Sequence, residues 1–184
     1  MDGEAWRGIT ACFTGHRHIP AEKIPPVTQT LARAIADAYE NGYRIFLCGG
    51  ALGFDTLAAR QVIAFRRTHP DVRLEIVIPC PTQAVHWSPE DRAVYHEILN
   101  LADNRLTLSP FYYEGCMFSR NRYMVNHSSL CICYLVQMSG GTWSTVREAL
   151  AQDLTILKLA MPDGDTLELK EPPWSCTFTF PFAK

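Results

Sequence analysis

The sequence predicts an α/β protein of the Rossmann-like, doubly wound type, with a mostly parallel sheet and helices on both faces. Short apolar runs alternate with helical patterns along the chain, as in β-α-β units. Glycine pairs twice join an apolar run to a helical one. A chain of 184 residues is the length of one domain. We expect one Rossmann-like domain over 1–184, with its core at about 8–160 and a C-terminal β-hairpin and tail at 161–184.

Composition limits the partners and the location that we expect. A net charge of -2 gives no broad basic surface, so nucleic acid is an unfavoured partner. No apolar run approaches the roughly 20 residues that cross a bilayer, and the first residues do not resemble a signal peptide. We therefore expect a cytoplasmic protein with no membrane partner. The seven cysteines lie mostly in apolar runs without a Cys-x-x-Cys pair, which predicts reduced, buried thiols and no metal site.

The first strand is predicted at 9–13, and it ends in polar residues that we interpret as ligand contacts. In an open parallel sheet, the carboxyl ends of the strands border the ligand crevice. Arginine can bind a phosphate or a carboxylate with two hydrogen bonds. We therefore favour ligand contact over a solvated surface turn for Thr14, Gly15, His16 and Arg17.

A second strand and a glycine turn follow the helix that helical spacing predicts at 27–39. The strand covers 45–48, and the next helix is predicted at 56–68. Glycine leaves backbone N–H groups uncovered, and the positive end of a helix favours an anion, so a phosphate is the natural ligand of this turn. Asp55 is expected to hold a ribose hydroxyl or to cap the helix. The ligand-binding candidates of this first glycine turn (residues 49–53) are Gly49, Gly50 and Gly53, together with Asp55.

The middle of the chain continues the alternation of strands and helices. Residues 72–78 and 105–108 predict the third and fourth strands. Between them, Ser88 can cap a helix and Pro89 suits its first position, so we expect in 82–101 either one helix or two that break there.

A helix at 116–126 precedes the most apolar strand, at 130–136, which fits a central place in the sheet. On this helix Arg120 and Asn121 can face the carboxyl edge of the sheet and contact a phosphate or a ribose. A solvated helix face is the other interpretation. The residue pattern alone does not rank Arg120 above Arg122.

A second glycine turn (residues 139–142) follows the strand at 130–136, with a helix predicted at 146–151 and a last strand at 154–160. A hydroxyl can cap this helix, and that role is compatible with a phosphate bound by the same N–H groups. A tight turn then predicts the hairpin at 162–170. The ligand-binding candidates here are Gly140, Gly141, Thr142, Ser144 and Thr145.

Four motifs, taken in order, resemble the YpsA-like branch of the SLOG superfamily over nearly all of residues 8–160. The resemblance implies a Rossmann-like fold that binds a nucleotide or a nucleotide-derived ligand at the carboxyl edge of the sheet. More distantly, the chain is similar to the LOG phosphoribohydrolases and to the DNA-processing protein DprA. The motifs are Thr14-Gly15-His16-Arg17, the residues from Gly49 to Asp55, Arg120-Asn121-Arg122, and Gly140-Gly141-Thr142 with Ser144-Thr145.

Our leading hypothesis is a binding module or sensor for a small nucleotide such as ADP-ribose, NAD or a nucleoside monophosphate, with no required cofactor. The phosphate would rest on both glycine turns, and Thr14, Arg17 and Arg120 would contact phosphate or ribose. Whether the protein forms a homo-oligomer is left open by the sequence.

Two other functions are also left open. The first is an enzyme of LOG type that cleaves the N-glycosidic bond of a nucleotide or of a NAD-like dinucleotide, with Glu148 or Asp55 as its essential carboxylate. Glu148 aligns with the LOG glutamate only if one residue is inserted. The second is binding of single-stranded DNA, as in DprA, which the mildly acidic net charge disfavours.

Overall fold

The computed structural model describes residues 3–159, which form a six-stranded, all-parallel sheet with helices on both faces. This confirms the predicted fold class. The helices are α1 (Gly3–Gly8), α2 (Ile24–Glu40), α3 (Phe54–Arg66), α4 (Pro89–Leu101), α5 (Cys116–Asn126) and α6 (Gly140–Ala151). The strands are β1 (Thr10–Gly15), β2 (Ile45–Cys48), β3 (Arg73–Ile78), β4 (Asn104–Thr107), β5 (Leu130–Tyr134) and β6 (Thr155–Lys158).

The strand order reverses beside β1. From β1 the chain moves outward through β2 and β3 to β4, and then returns to place β5 and β6 on the other side, in the order β4-β3-β2-β1-β5-β6. Gly15 at the end of β1 pairs in register with Tyr134 at the end of β5. Connections that leave in opposite directions open a crevice at the carboxyl ends of these two strands.

Each face of the sheet is covered by its own set of helices, because the strands are buried on both sides. Alternate residues of β1 point to opposite faces, as strand geometry requires. Phe13 packs with the side chains of α2 and α3, whereas Cys12 packs with those of α5 and α6. The central strand is thus held from both sides, and its carboxyl end is fixed for the site.

Helix starts differ from the prediction more than strands do. α2 begins at Ile24 rather than at residue 27, with prolines in its first turn, a place where proline loses no helical hydrogen bond. α6 begins at Gly140 rather than at residue 146, because two glycines that we interpreted as a turn form its first turn. In the stretch 82–101 there is one helix, which begins at Pro89, and Ser88 Oγ accepts its capping hydrogen bond from the Asp91 N–H at 3.0 Å.

Other expectations concern the rest of the chain and its thiols. The predicted hairpin and tail lie outside the described residues, and the short helix α1 was not predicted. In residues 3–159, no helix is long and apolar enough to span a bilayer. The predicted burial of thiols is confirmed for the six cysteines of the described part, which are Cys12, Cys48, Cys80, Cys116, Cys131 and Cys133.

Candidate functional site

A cavity of about 360 Å³ opens at the carboxyl edge of the sheet, where the strand order reverses between β1 and β5. Its walls come from the end of β1, the start of α3, one face of α5 and the loop that leads into α6. The residues that line it are Phe13, Thr14, Gly15, His16, Arg17, Ala51, Asp55, Met117, Phe118, Arg120, Asn121, Met124, Gln137, Ser139, Gly140, Gly141 and Thr142.

The second glycine turn opens directly onto this cavity. The Ser139 side chain precedes α6 but makes no capping hydrogen bond. A Cβ added to Gly140 or to Gly141 would meet no atom of the described structure within 4 Å. The first N–H groups of a helix have no intrahelical partner and carry the positive end of the helix dipole. The start of α6 therefore offers uncovered N–H donors to an anion in the cavity.

The first glycine turn is filled by the protein itself. The Gly49 carbonyl accepts hydrogen bonds from the Arg120 guanidinium and, at 3.2 Å, from Gln83 Nε2. A Cβ on Gly49 would lie 1.7 Å from Arg120 Nη1. Gly53 adopts a φ of +76°, and a Cβ there would lie 2.1 Å from the Arg17 carbonyl oxygen. Glycine is needed at both positions for close packing, and of this turn Ala51 reaches the cavity wall.

A buried pair of opposite charges lies at the base of the cavity. Asp55 and Arg120 are 6% and 4% exposed, and Arg120 Nη1 lies 3.9 Å from Asp55 Oδ2. Asp55 Oδ2 also accepts a hydrogen bond from the Ala51 N–H at 3.2 Å. Burial raises the pKa of Asp55 above its ordinary value, and the charge of Arg120 opposes that rise. The Arg120 Nε–H is buried and has no hydrogen-bond partner in the described part of the chain.

His16 connects the start of α3 with the loop before α6. Its backbone carbonyl accepts a hydrogen bond from the Phe54 N–H at 3.1 Å, at the start of α3. Its ring Nε2 accepts a hydrogen bond from the Val136 N–H at 3.0 Å, in the loop before α6. The ring also contacts Tyr134 edge to face, with centroids 6.1 Å apart. Partial burial lowers the pKa of His16 below its ordinary value.

Ten of the predicted site residues surround this one cavity. Thr145 is not one of them, but it supports the second glycine turn from behind. Its Oγ1 accepts a hydrogen bond from Asn121 Nδ2 and donates one to the Gly141 carbonyl, both at 2.8 Å. Ser144 is exposed and does not line the cavity. The ten residues are Thr14, Gly15, His16, Arg17, Asp55, Arg120, Asn121, Gly140, Gly141 and Thr142.

The structure does not bring Glu148 or the glycines of the first turn to the cavity wall. The Glu148 carboxylate lies 3.5 Å from Arg122 Nε and accepts a hydrogen bond from Gln152 Nε2 at 2.9 Å. These contacts lie on the outer part of α6. The roles that the sequence assigned to Glu148, Gly49, Gly50 and Gly53 stay predictions.

Some cavity residues were not identified from the sequence. Met117 and Met124 line the cavity with Arg120 and Asn121. Their spacing of i, i+3, i+4 and i+7 places all four on one helix face, and this pattern was the available signal. The contact of Gln83 with the carbonyls of Gly49 and Gly50 had no comparable signal, because it joins residues 33 and 34 positions apart.

A known protein family and several curated proteins are similar to this chain in sequence. The YpsA family model, described as the YspA SLOG family, matches residues 13–154. A UPF0398 protein of Halalkalibacterium halodurans is 31% identical over 104 residues, which are 55% of this chain and 55% of that relative. The chain thus spans little more than half the length of that relative.

Two solved structures share the fold. DNA processing protein A of Helicobacter pylori, described by its single-stranded DNA binding mode, has a TM-score of 0.57 at 19% identity and covers 80% of this chain and 63% of its own. DprA of Streptococcus pneumoniae has a TM-score of 0.58 at 15% identity and covers 83% and 50%. Identities this low show a common fold alone.

Proposed function

Because the chain belongs to the YpsA family of SLOG proteins, we propose that it binds a nucleotide or a nucleotide-derived ligand in the cavity between β1 and β5. The observation that carries this proposal is the uncapped start of α6, which faces the same cavity as Arg17 and Arg120. A helix start and two guanidinium groups form a site for a phosphate.

The phosphate would lie over the second glycine turn. There it would accept hydrogen bonds from the first N–H groups of α6, and the exposed Arg17 could close over it. The buried Nε–H of Arg120 has no partner in the described chain, and an oxygen of the ligand would supply one.

The rest of a nucleotide matches the remaining walls. The Asp55 carboxylate suits a ribose hydroxyl, and the apolar side chains Met117, Phe118 and Met124 suit a base. The cavity of about 360 Å³ is at the small end of the range of roughly 300–1,000 Å³ for ligand pockets. Its size favours a nucleoside monophosphate over a dinucleotide such as NAD.

A thermal-shift assay with AMP, ADP-ribose and NAD tests the proposal. A ligand at about 100 times its Kd stabilises the folded state by about 2.7 kcal/mol and raises Tm. We expect a rise for at least one compound, and its loss in Arg17→Met, since Arg17 is exposed and does not support the core. The matched control is Arg33→Met, an exposed arginine on α2. No shift with any compound, or equal shifts in the two variants, would contradict the proposal.

Cleavage of an N-glycosidic bond is a second candidate, which the position of Asp55 favours. Such a reaction needs a carboxylate near the anomeric carbon, and Asp55 is a carboxylate that lines the cavity. A raised pKa suits a carboxyl group that gives and takes a proton. Free base released from AMP, measured by chromatography, would show this activity.

Binding of single-stranded DNA is a third candidate, which exposed aromatic side chains favour. Phe111, Tyr112 and Phe118 are 67%, 62% and 58% exposed, in the segment that leads into and begins α5. Bases of a single strand stack on such side chains. Binding of a labelled oligothymidine, measured by fluorescence anisotropy at several salt concentrations, tests this candidate. Binding by the wild type but not by Tyr112→Ala would support it. Binding that is equal in the two proteins and vanishes with modest salt would indicate electrostatic contact alone.

A further inference from the structure

The loop before α6 is held to the end of β1 by a side chain that can titrate. His16 Nε2 accepts a hydrogen bond from the Val136 N–H at 3.0 Å. The Ser139 side chain, which precedes α6, makes no capping hydrogen bond. Val136 and Gln137 are exposed, and so is Ser139, which lies at the cavity. This contact ties the loop before α6 to the end of β1, while Thr145 braces the Gly141 carbonyl from the other side.

The contact requires one protonation state of His16. A neutral imidazole has one nitrogen that donates and one that accepts, and here Nε2 accepts, so the proton must be on Nδ1. The imidazolium ion donates from both nitrogens. Protonation would place two N–H groups against each other and break the contact with Val136.

We propose that His16 is a positioning residue that holds the second glycine turn in place for its anion, and that protonation of His16 releases the loop and weakens ligand binding. This inference rests on the proposed nucleotide site. The contact of His16 with the start of α3 has no such dependence, because there the backbone carbonyl of His16 accepts the Phe54 N–H and does not titrate.

The charged groups that line the cavity with His16 come from three elements. Arg17 follows His16 in the same segment, Arg120 is on α5, and Asp55 on α3 lies 3.9 Å from Arg120, which offsets its charge. The lowered pKa of His16 comes from its burial. Tyr134 from β5 contacts the ring edge to face. A bound phosphate favours the imidazolium ion, so affinity that rises on acidification would oppose the proposal.

Hydrogen exchange at the Val136 amide tests the contact without any ligand. We would compare wild type, His16→Ala and His16→Gln at about pH 8 and about pH 4.5, well below the ordinary pKa of 6.5 because burial lowers the pKa of His16, with rates corrected for the intrinsic effect of pH. Protection should fall roughly two- to tenfold at the lower pH in wild type, be absent at both in His16→Ala, and persist at both in His16→Gln, whose amide oxygen accepts without titrating. His18→Ala, an exposed histidine nearby, is the control.

Affinity for AMP, measured by calorimetry at the same two pH values, tests the consequence. Wild type should lose more affinity at the lower pH than His16→Gln, whose loss should reflect only the protonation of the AMP phosphate near its second pKa of about 6, while His18→Ala should follow wild type. Exchange at Val136 that is equal in wild type and His16→Ala would overturn the inference, and so would affinity that falls equally in wild type and His16→Gln. If the exchange pattern appears but AMP, ADP-ribose and NAD do not bind at either pH, the nucleotide site is wrong while the His16 contact stands.

Discussion

The two glycine turns of this protein share a sequence pattern, but one is closely packed by the protein and the other is open. Each follows a buried strand, contains a Gly-Gly pair and begins a helix. In the first turn a Cβ on Gly49 would collide with Arg120, whereas in the second a Cβ on Gly141 would meet nothing within 4 Å. A glycine pair thus occurs both where the protein packs closely against the backbone and where the backbone is left open, and the sequence alone does not distinguish the two.

The position of each turn in the sheet explains the difference. The first turn follows β2, which lies between β1 and β3 on the same side of the strand reversal. The second follows β5, directly at the reversal, where connections diverge and leave a crevice. The same local motif is therefore packed in one place and open in the other.

Arg120→Met should have the largest effect on stability. It removes the guanidinium that packs against Gly49 and leaves Asp55 as a buried charge without its partner. Loss of one member of a buried pair costs about 3–5 kcal/mol. Urea unfolding of the variant should show a loss of this size. Adding Asp55→Asn should restore part of it by removing the unpaired charge.

Arg122→Met is the matched control, since Arg122 is 68% exposed and pairs with Glu148 at the surface. Its unfolding free energy should change by about 0.5 kcal/mol or less. Equal losses in Arg120→Met and Arg122→Met would show that the first turn is not held by Arg120.

Gly49→Ala and Gly141→Ala compare the turns by one added methyl group. Overpacking at Gly49 should destabilise the protein by about 1–3 kcal/mol, since the Cβ would overlap a buried guanidinium. Gly141→Ala should change stability by less than about 0.5 kcal/mol or raise it, because alanine favours a helix more than glycine does. Thermal and urea unfolding check both. A larger loss for Gly141→Ala would reverse the assignment of packed and open turns.

Asp55→Asn should alter how stability depends on pH. Burial raises the folded-state pKa of Asp55 above its ordinary value of 3.8, so the folded state binds more protons than the unfolded state in that interval. The contribution of Asp55 is thus fully present below about pH 3.8 and is lost as pH rises through the raised pKa. Urea unfolding across this interval should show a decline in wild type that is smaller in Asp55→Asn. An unchanged slope would mean that Asp55 is not the group responsible.

Glu148→Gln should have the smallest effect on the free energy of unfolding. Its ion pair with Arg122 lies at the surface, so stability should change by about 0.5 kcal/mol or less. If free base is released from AMP, Asp55→Asn should abolish release and Glu148→Gln should retain it, because Asp55 lines the cavity and Glu148 does not. Loss of product only in Glu148→Gln would assign the reaction to the carboxylate that the LOG resemblance indicates.

The sheet was predictable because its strands are short apolar runs bounded by polar or glycine residues. The start of α6 at Gly140 was not predictable, because glycine has a low helix propensity and a Gly-Gly pair is therefore interpreted as a turn. The residue pattern alone does not rank Arg120 above Arg122, and the structure places Arg120 at the cavity. Its contact with Gly49 joins residues 71 positions apart, and local patterns carry no information on such pairs.

The buried thiols of the described chain supply a means to observe how often the helix layer over the sheet opens. Cys12, Cys131 and Cys133 are 0% exposed, lie on the neighbouring strands β1 and β5, and pack against side chains of α5 and α6. An alkylating reagent can reach them when these helices move away from the sheet. The rate at which each thiol is modified therefore reports that opening, and a ligand that bridges the α5 and α6 walls of the cavity should slow it.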